Sequence, residues 1–366
     1  MQIEGISFLV ADILGRRRVD QTYVPGTVRT IGEFMELGPI LQQHFRRVWL
    51  TDNLGYRSTY VILALAAREW KRVNLGNFTT FPYGRNPIDV AVTANSIAEL
   101  MPGRELVLGL SRGNLIISRT FEPYKPIAVQ REMIQFLRRL QAGDTIPLSD
   151  YPALTKVCNF VPDGVAQLYM EPQDIPIFIG STGVKTFEMA GEYADGVFFT
   201  TQQPNQSLEA WRRGIYGEAS GLNAVHRGRQ RSQVGRFRKI NGISICVSND
   251  GDQAREFARR EVAGITGSKS EAVLASIGMD LERAALIRRA FETGAGFGGA
   301  SQFVSQEMVD KVMIAGTARE VIDKIGEAAD YGERAGFDEQ FFCLPLGPDL
   351  REALDIITKE IMPALA

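Results

Sequence analysis

The sequence of 366 residues contains few cysteines, and the three present, Cys158, Cys246 and Cys343, are scattered along the chain. An odd number of widely spaced cysteines argues against a disulfide framework and is typical of a protein of the reducing cytoplasm. Histidine is scarcer still, because only His44 and His226 occur and neither has metal-binding spacing. We therefore expect no metal site and no Ser-His-Asp hydrolase.

Neither sign of charge is in excess, because 41 basic and 43 acidic residues leave a net charge of −2. This balance gives no electrostatic reason to expect binding to nucleic acid or to an anionic membrane. The longest apolar stretch, Tyr60–Ala67, is far shorter than the ~18 residues of a membrane span. The N-terminus shows no basic region or cleavage site, so we expect no signal peptide. These absences predict a cytoplasmic protein with a small-molecule substrate.

Short apolar segments alternate with longer segments of helical period. The candidate strands are Gly5–Val10, Val48–Thr51, Val73–Thr79, Glu105–Leu110, Ile175–Gly180, Gly196–Thr200, Ile240–Val247 and Asp338–Leu344. The helical segments include Tyr60–Trp70, Asp89–Leu100, Val129–Gln141, Val184–Tyr193, Gly251–Ala263 and Ala318–Ala335. Because parallel neighbours need a crossover of about a dozen residues or more, this alternation predicts a parallel sheet. Eight such units predict an α/β fold, the (β/α)8 TIM barrel, with a doubly wound open sheet as the alternative.

Two connections are longer than the others, residues 111–174 after the fourth strand and residues 248–337 after the seventh. Loops of this length inside a compact domain are usually functional, so we interpret both as insertions on the catalytic rim. We expect a single domain over residues 1–366, with a mostly helical insertion at 248–312. The glycine-rich Gly294–Gly299 fits either a solvated hinge or a mobile lid. The arginine-rich, helical Ala224–Arg238 fits a solvated face or, alternatively, an anion contact.

In a barrel, chemistry gathers at the carboxyl ends of the strands, and the end of the fourth strand is unusual here. Gly109–Asn114 places glycine on both sides of Arg112. Glycine lets the backbone approach a ligand closely, and arginine offers a charged fork for an anion. The alternative interpretation is a turn with a surface arginine.

The fifth strand also ends in an unusual way, because an apolar run leads into Gly180–Val184 and then opens a helix. Backbone N–H groups at a helix N-terminus bind anions, and Ser181 and Thr182 add hydroxyl donors. An ordinary N-cap is the alternative interpretation. Together with Arg112, this loop fits one phosphate, which belongs either to a flavin-type cofactor or to a sugar phosphate.

Segments from most of the chain share an order and spacing with one enzyme family. They are Val48–Asp52, Val73–Gly76, Gly84–Pro87, Ala94–Leu100, Pro102–Gly113 and Gly191–Gly196. In that order they resemble the luciferase-like superfamily, barrel enzymes that use FMN or the deazaflavin coenzyme F420. The C-terminal segments Ile314–Ile325 and Pro345–Asp349 resemble its methylenetetrahydromethanopterin reductase branch. The resemblance implies a TIM barrel of the bacterial-luciferase type with insertions after strands four and seven.

The resemblance also implies how a cofactor is bound. It implies a bulge on the third strand with a non-prolyl cis peptide at Phe78–Thr79, pressed against the flavin ring. It matches Arg112 with an arginine of bacterial luciferase that contacts the FMN phosphate. The residues implied in cofactor contact are Phe78, Thr79, Arg112, Gly113, Asn114, Gly180, Ser181, Thr182, Gly183 and Val184.

The catalytic candidates implied by the resemblance are Asp52 and Asn53 after strand two, Ser7 on strand one, and Ser111. Ser111 stands where luciferase has a cysteine near the ring. The sequence departs from the reductase branch at two of these positions, because that branch has histidine in place of Asn53 and glutamate in place of Ser7. Asparagine forms hydrogen bonds but cannot shuttle a proton near neutral pH. The native pterin substrate of the branch is therefore an open question here.

Three functions stay open at this point. The C-terminal resemblance favours hydride transfer from reduced F420 to an electron-poor organic acceptor. Arg112 favours the alternative, an FMN-dependent monooxygenase that uses O2 and is supplied with reduced FMN by a separate flavin reductase. The third is a cofactor-binding relative without catalysis. Tyr56 and Arg57, on the loop after strand two, are the candidates for substrate contact, and the resemblance implies a homodimer.

Overall fold

The computed structural model describes residues 3–9, 30–113, 120–122, 124–180, 183–199 and 221–366. Its strands are β1 Gly5–Phe8, β2 Arg47–Leu50, β3 Asn74–Asn77, β4 Leu106–Leu110, β5 Ile146–Pro147, β6 Val165–Ala166, β7 Ile177–Gly180, β8 Gly196–Phe199, β9 Arg238–Val247, β10 Ile314–Gly316 and β11 Glu339–Leu346. Its first helices are α1 Ile31–Glu36, α2 Gly38–His44, α3 Thr59–Glu69, α4 Pro87–Glu99, α5 Pro126–Gln141, α6 Pro152–Cys158, α7 Val184–Tyr193 and α8 Gly221–Arg231. The later helices are α9 Gly251–Ser268, α10 Glu271–Ser276, α11 Leu281–Glu292, α12 Gly296–Ser301, α13 Gln306–Asp310, α14 Ala318–Arg334, α15 Leu350–Ile356 and α16 Met362–Ala364.

Local capping explains why several helices begin where the sequence predicts them. Asp250 accepts the N–H groups of Asp252 and Gln253 and so starts α9. Thr317 and Glu320 form a capping box at the start of α14. Each cap satisfies backbone N–H groups that have no partner inside the helix.

The chain divides into two compact units, and residues 35–198 with 224–238 form one of them. Its parallel strands follow the order β2-β3-β4-β7-β8, with β5 and β6 paired separately as a short antiparallel hairpin. The ring of Phe198 lies 5.0 Å from Trp49, 5.0 Å from Phe78 and 5.6 Å from Phe178, measured between centroids. This aromatic cluster packs the inside of the unit directly below the end of β3.

Residues 1–34, 199–223 and 239–366 form the other unit, in which the parallel strands follow the order β10-β9-β11-β1. Gln340 on β11 donates to the carbonyl of Ala329 on α14 and accepts from Asn241 on β9, so these side chains face the outer helices. Side chains alternate along a strand. On β11, the odd-numbered residues that follow Gln340 therefore point to the opposite, inner face. On β9, the even-numbered residues that follow Asn241 point to this inner face as well.

All eight predicted strands are present, and the fold class is the closed (β/α)8 barrel that the sequence predicts. The sequence analysis missed β10, which pairs in parallel with the carboxyl end of β9. The single-domain organisation stays a prediction, although α9–α13 fall within its predicted insertion at 248–312. Within the described ranges, no helix combines the length and apolar character that crossing a membrane requires.

Two local predictions were wrong in part. The helix predicted over Ala224–Arg238 ends at Arg231, because the chain then leads into β9 at Arg238. Arg227 and Arg231 pair with carboxylates of α7 rather than with an anion. The glycine-rich segment Gly294–Gly299 is helical from Gly296 onward, in α12, and Phe297 packs against Phe291 with ring centroids 5.2 Å apart, while the hinge and the lid both stay predictions.

Asp195, in the turn before β8, joins several elements of its unit. Its carboxylate accepts the backbone N–H of Ile177 at 2.9 Å and forms ion pairs with Arg138 and Arg236. The Asp195 side chain is 2% exposed, so its oxygens have little access to solvent. The turn residue thereby fixes β7 against β8 and α5.

We predict that Asp195→Ala lowers the free energy of unfolding by about 1–3 kcal/mol, because the N–H of Ile177 loses its partner in a buried position. Urea denaturation measures the loss. Asp174→Ala is the matched control, since Asp174 is exposed and pairs with the same Arg236; the expected change is below about 1 kcal/mol. Equal effects of the two substitutions would contradict the assigned role of Asp195.

Candidate functional site

The ends of β3, β4 and β7 meet at one place. The hydroxyl of Thr79 donates to Oγ of Ser111 at 2.6 Å. A Cβ at Gly180 would lie 3.1 Å from Cγ2 of Thr79 and 3.6 Å from Cβ of Ser111. These three residues are half-buried, whereas the strand residues just before them are buried. They form an accessible surface, which we call the β3–β4–β7 cradle, and the absent side chain of Gly180 leaves room on it.

The peptide bond between Phe78 and Thr79 is cis, as predicted from the resemblance. The chain nevertheless stays hydrogen-bonded to both neighbouring strands, because Phe78 N–H donates to Leu50 O at 2.7 Å and Thr80 N–H donates to Gly109 O at 2.8 Å. Phe78 is half-buried, and its ring packs edge-on against Phe198. The bulge therefore holds Phe78 and Thr79 at the border between the packed barrel and the cradle.

A buried polar network lies behind the bulge. Asp52 accepts two hydrogen bonds from the guanidinium of Arg85, at 2.7 and 3.2 Å, and a third from the hydroxyl of Thr80 at 2.7 Å. Because Thr80 donates to Asp52, its oxygen accepts from Asn77 at 3.0 Å and from the hydroxyl of Tyr60 at 2.7 Å. Burial, and then the charge of Asp52, raise the pKa of Tyr60, so its phenol stays protonated as a donor.

Arg112 supplies a positive charge next to the cradle. Its side chain is exposed, and within the described residues it forms neither an ion pair nor a hydrogen bond. Burial raises the pKa of Tyr83 to about 12, and the charge of Arg112 opposes this rise. Gly113 follows with a φ of +96° and donates its N–H to Oγ of Ser111 at 3.1 Å. An unpaired cation in this position suits an anionic ligand.

The structure says less about the remaining predicted site residues. Asn53 is buried, and its side-chain oxygen accepts the N–H of Leu54 at 3.2 Å. Tyr56 and Arg57 are half-buried in the loop that follows. Gly183 and Val184 begin α7 without a side-chain cap. Asn114, Ser181 and Thr182 lie outside the described residues, so their predicted contacts with a phosphate stay predictions.

Ser7 belongs to the other unit and is not part of this network. It lies on β1, is fully buried, and its hydroxyl accepts the N–H of Leu344 at 3.3 Å. Among the residues that the structure describes, no three His, Cys, Asp or Glu side chains are grouped as metal ligands.

The sequence analysis missed the partners of Asp52. Arg85 lies inside the matching segment Gly84–Pro87, Asn77 lies inside the predicted third strand, and Thr80 follows that strand directly. The asparagine and threonine three residues apart at a strand exit were the available signal. Nothing in the sequence connects Arg85 with a carboxylate 33 positions earlier, because that pairing is made by the return of the chain after β3.

The barrel has a bulge and paired hydroxyls at its strand ends, next to an arginine that has no ion pair among the described residues, and this arrangement suits an oxidoreductase with a flavin-type cofactor. Residues 17–335 match the model of the luciferase-like monooxygenase family, and the chain belongs to that family. The 5,10-methylenetetrahydromethanopterin reductase of Archaeoglobus fulgidus is 30% identical over 328 residues, which cover 88% of this chain and 92% of the relative. The enzyme of the same name from Methanolobus tindarius is 28% identical over 90% of this chain and 98% of its own. The predicted resemblance to this branch is confirmed.

Solved structures show the same fold. The coenzyme F420-dependent tetrahydromethanopterin reductase of Methanopyrus kandleri matches with a TM-score of 0.74 and 22% identity, over 100% of this chain and 99% of that chain. An F420-dependent secondary alcohol dehydrogenase, solved with an F420–acetone adduct, matches with a TM-score of 0.67 and 18% identity over the whole of both chains.

We predict that Arg85→Met lowers the free energy of unfolding by about 3–5 kcal/mol, because it leaves the buried carboxylate of Asp52 without its counter-charge. Adding Asp52→Asn to this variant removes the unpaired charge. We therefore expect the double variant to recover part of the free energy of unfolding that Arg85→Met loses. Urea denaturation of the two single variants and the double variant measures the coupling between the residues. Strictly additive effects would show that the ion pair contributes nothing specific.

Proposed function

We propose that this protein is an F420-dependent oxidoreductase of the methylenetetrahydromethanopterin reductase type, which passes a hydride from reduced F420 to an electron-poor organic acceptor. The relatives from Archaeoglobus fulgidus and Methanolobus tindarius, matched over most of their length, support the reaction type. The observation that carries the proposal is the β3–β4–β7 cradle beside the exposed Arg112, which has no ion pair among the described residues.

The residues present fit such a cofactor. The missing Cβ of Gly180 leaves space against Thr79 and Ser111, where a side chain would otherwise crowd a flat ring. The positive charge of Arg112 suits the phosphate of the cofactor tail. In this proposal Phe78, Thr79 and Ser111 contact the ring, and Arg112 with Gly113 holds the phosphate end.

When bound, F420 supplies the hydride, and the protein has to align the acceptor and exclude water. The hydrogen bond between Thr79 and Ser111 fixes two side chains of the cradle in one geometry. Arg85 and Thr80 donate hydrogen bonds to the oxygens of Asp52 and so hold this side chain in one orientation at the end of β2. We assign it a positioning role, and Asn53, Tyr56 and Arg57 stay proposals for contact with the acceptor.

An FMN-dependent monooxygenase is the second candidate. The observation that favours it is Arg112, because a single exposed arginine is enough to pair with the terminal phosphate of FMN. This function requires O2 as co-substrate and a separate flavin reductase as partner. A homodimer and a cytoplasmic location stay predictions under either function.

Cofactor choice separates the two candidates. We predict micromolar binding of F420 by fluorescence quenching, and weaker binding of FMN. Arg112→Ala should weaken F420 binding about 10- to 100-fold, because one charge-assisted contact of about 1.5–3 kcal/mol is lost. Arg131→Ala, which removes an exposed arginine of α5, should bind as the wild type does. If the protein binds FMN but not F420, the FMN-dependent monooxygenase becomes the favoured function. If Arg112→Ala binds F420 as tightly as the wild type does, the assignment of Arg112 to the phosphate is refuted.

Turnover tests the reaction class. We predict that reduced F420 is reoxidised under anaerobic conditions when methylenetetrahydromethanopterin, the acceptor named in the relatives, is supplied. The absorbance of oxidised F420 follows the reaction. Gly180→Val should abolish both F420 binding and turnover, since its side chain would fill the cradle beside Thr79. Reoxidation that requires O2 would instead indicate the monooxygenase.

A further inference from the structure

The side chain of Thr51, directly after β2, faces the inside of its unit. Two positions earlier, Trp49 packs edge-on against Phe198 of the inner aromatic cluster, with ring centroids 5.0 Å apart. The strand pairing continues past Trp49, since Leu50 O accepts the N–H of Phe78 at 2.7 Å. Side chains on one face of a strand recur at every second residue. Thr51 therefore lies on the same inner face as Trp49, one step nearer the carboxyl end of β2.

This position borders the β3–β4–β7 cradle. Strands β2 and β3 are parallel neighbours, and Leu50 is the register partner of Asn77. One residue further along both strands, Thr51 stands beside Phe78, where neighbouring strands are about 4.8 Å apart. Phe78 leads directly into Thr79 of the cradle, and all of these residues belong to the same compact unit. The end of β2 thereby adds a fourth wall to the cradle.

The hydroxyl of Thr51 is a buried polar group without a hydrogen bond. Its oxygen has almost no accessible surface, and it bonds to none of the residues that the structure describes. The backbone of Thr51 is fixed, because its carbonyl accepts from the hydroxyl of Thr59, the first residue of α3, at 2.9 Å. Burial of a hydroxyl without a partner is unfavourable and therefore rare in folded proteins. At the carboxyl end of a barrel strand, such a group is explained if a ligand supplies the partner.

A small rotation makes this hydroxyl available. Thr51 as a whole is half-buried, so its accessible surface belongs to atoms other than the hydroxyl oxygen. The hydroxyl and the methyl group branch from the same Cβ, and rotation between staggered positions exchanges them. The side chain can thus turn its hydroxyl outward while Thr59 holds the backbone in place.

The other hydroxyls of the cradle are already engaged. Thr79 donates to Ser111 at 2.6 Å, and Ser111 also accepts the N–H of Gly113 at 3.1 Å. These two side chains therefore have only part of their bonding capacity left, whereas Thr51 keeps its full capacity to donate and to accept.

We propose that Thr51 is an affinity-determining residue of this site, and that its hydroxyl forms a hydrogen bond with a carbonyl or N–H group of a heterocyclic ring bound in the cradle. The inference rests on the proposed function and extends the site to the end of β2. The rings of the cofactor and of a pterin acceptor both carry such groups, so the experiment has to separate these two sources.

The test compares Thr51→Val with Thr266→Val. Thr266 on α9 also has a buried hydroxyl that bonds to none of the described residues, but the whole residue has no accessible surface and belongs to the other unit. If the ring is that of the cofactor, Thr51→Val should bind F420 about 3- to 10-fold more weakly by fluorescence quenching, because one hydrogen bond is lost. If the ring is that of the acceptor, F420 binding is retained and the KM for methylenetetrahydromethanopterin rises by a similar factor.

The controls separate the hydroxyl from the shape of the side chain. Thr51→Ser retains the hydroxyl and should behave as the wild type does, and so should Thr266→Val. Unchanged F420 affinity and unchanged KM in Thr51→Val would overturn the proposal. A wild type that binds FMN but not F420 would refute the proposed function alone, and the affinity of Thr51→Val for FMN would then decide the inference.

A second measurement uses the protein without any ligand. Thr51→Val removes an unpaired buried oxygen at nearly constant volume, so the Tm should stay the same or rise. Thr80→Val removes a hydroxyl that donates to Asp52, and this variant should show a lower Tm. If Thr51→Val lowers the Tm as far as Thr80→Val does, the hydroxyl of Thr51 has a partner within the protein, and the proposal is wrong.

Discussion

A buried carboxylate requires hydrogen-bonding partners. The partners of Asp52 hold together the segments that follow β2 and β3 in the barrel. Arg85 supplies the opposite charge and Thr80 a hydroxyl donor, while Asn77 and Tyr60 complete the bonding of Thr80. Removing any one of these groups leaves a polar atom unsatisfied where water is scarce, which costs more than the bond itself contributes. The bulge at Phe78 and Thr79 lies directly against this network and is held in position by it.

The network also separates two kinds of polar group at the strand ends. Asp52, Thr80 and Asn77 are buried and fully engaged with one another, so they give the site its shape. Thr79 and Ser111 are half-buried and bonded to each other, and Arg112 is exposed and has no ion pair or hydrogen bond to any residue that the structure describes. Groups of the first kind cannot be released to a ligand without loss of structure, whereas groups of the second kind are available for binding.

The contrast with the reductase branch becomes clearer in this light. At Asn53 and Ser7 the chain lacks the histidine and glutamate of the matching positions, and the structure shows both residues engaged with backbone N–H groups.

The sequence by itself predicted a parallel α/β fold, because eight strand signals alternate with helical segments, and the family resemblance favoured the barrel over the open sheet. Local residue types at the strand ends singled out Arg112 and Gly180, and the family resemblance implied Thr79 and Ser111. Only the tertiary structure joined Arg85 to Asp52. Local sequence patterns reflect residues that are neighbours in the chain. Pairs of residues far apart in sequence depend instead on the path that the connecting segments take in the fold. The short β10 could not be predicted from the sequence for the same reason. Three residues form a strand only when a partner strand lies beside them.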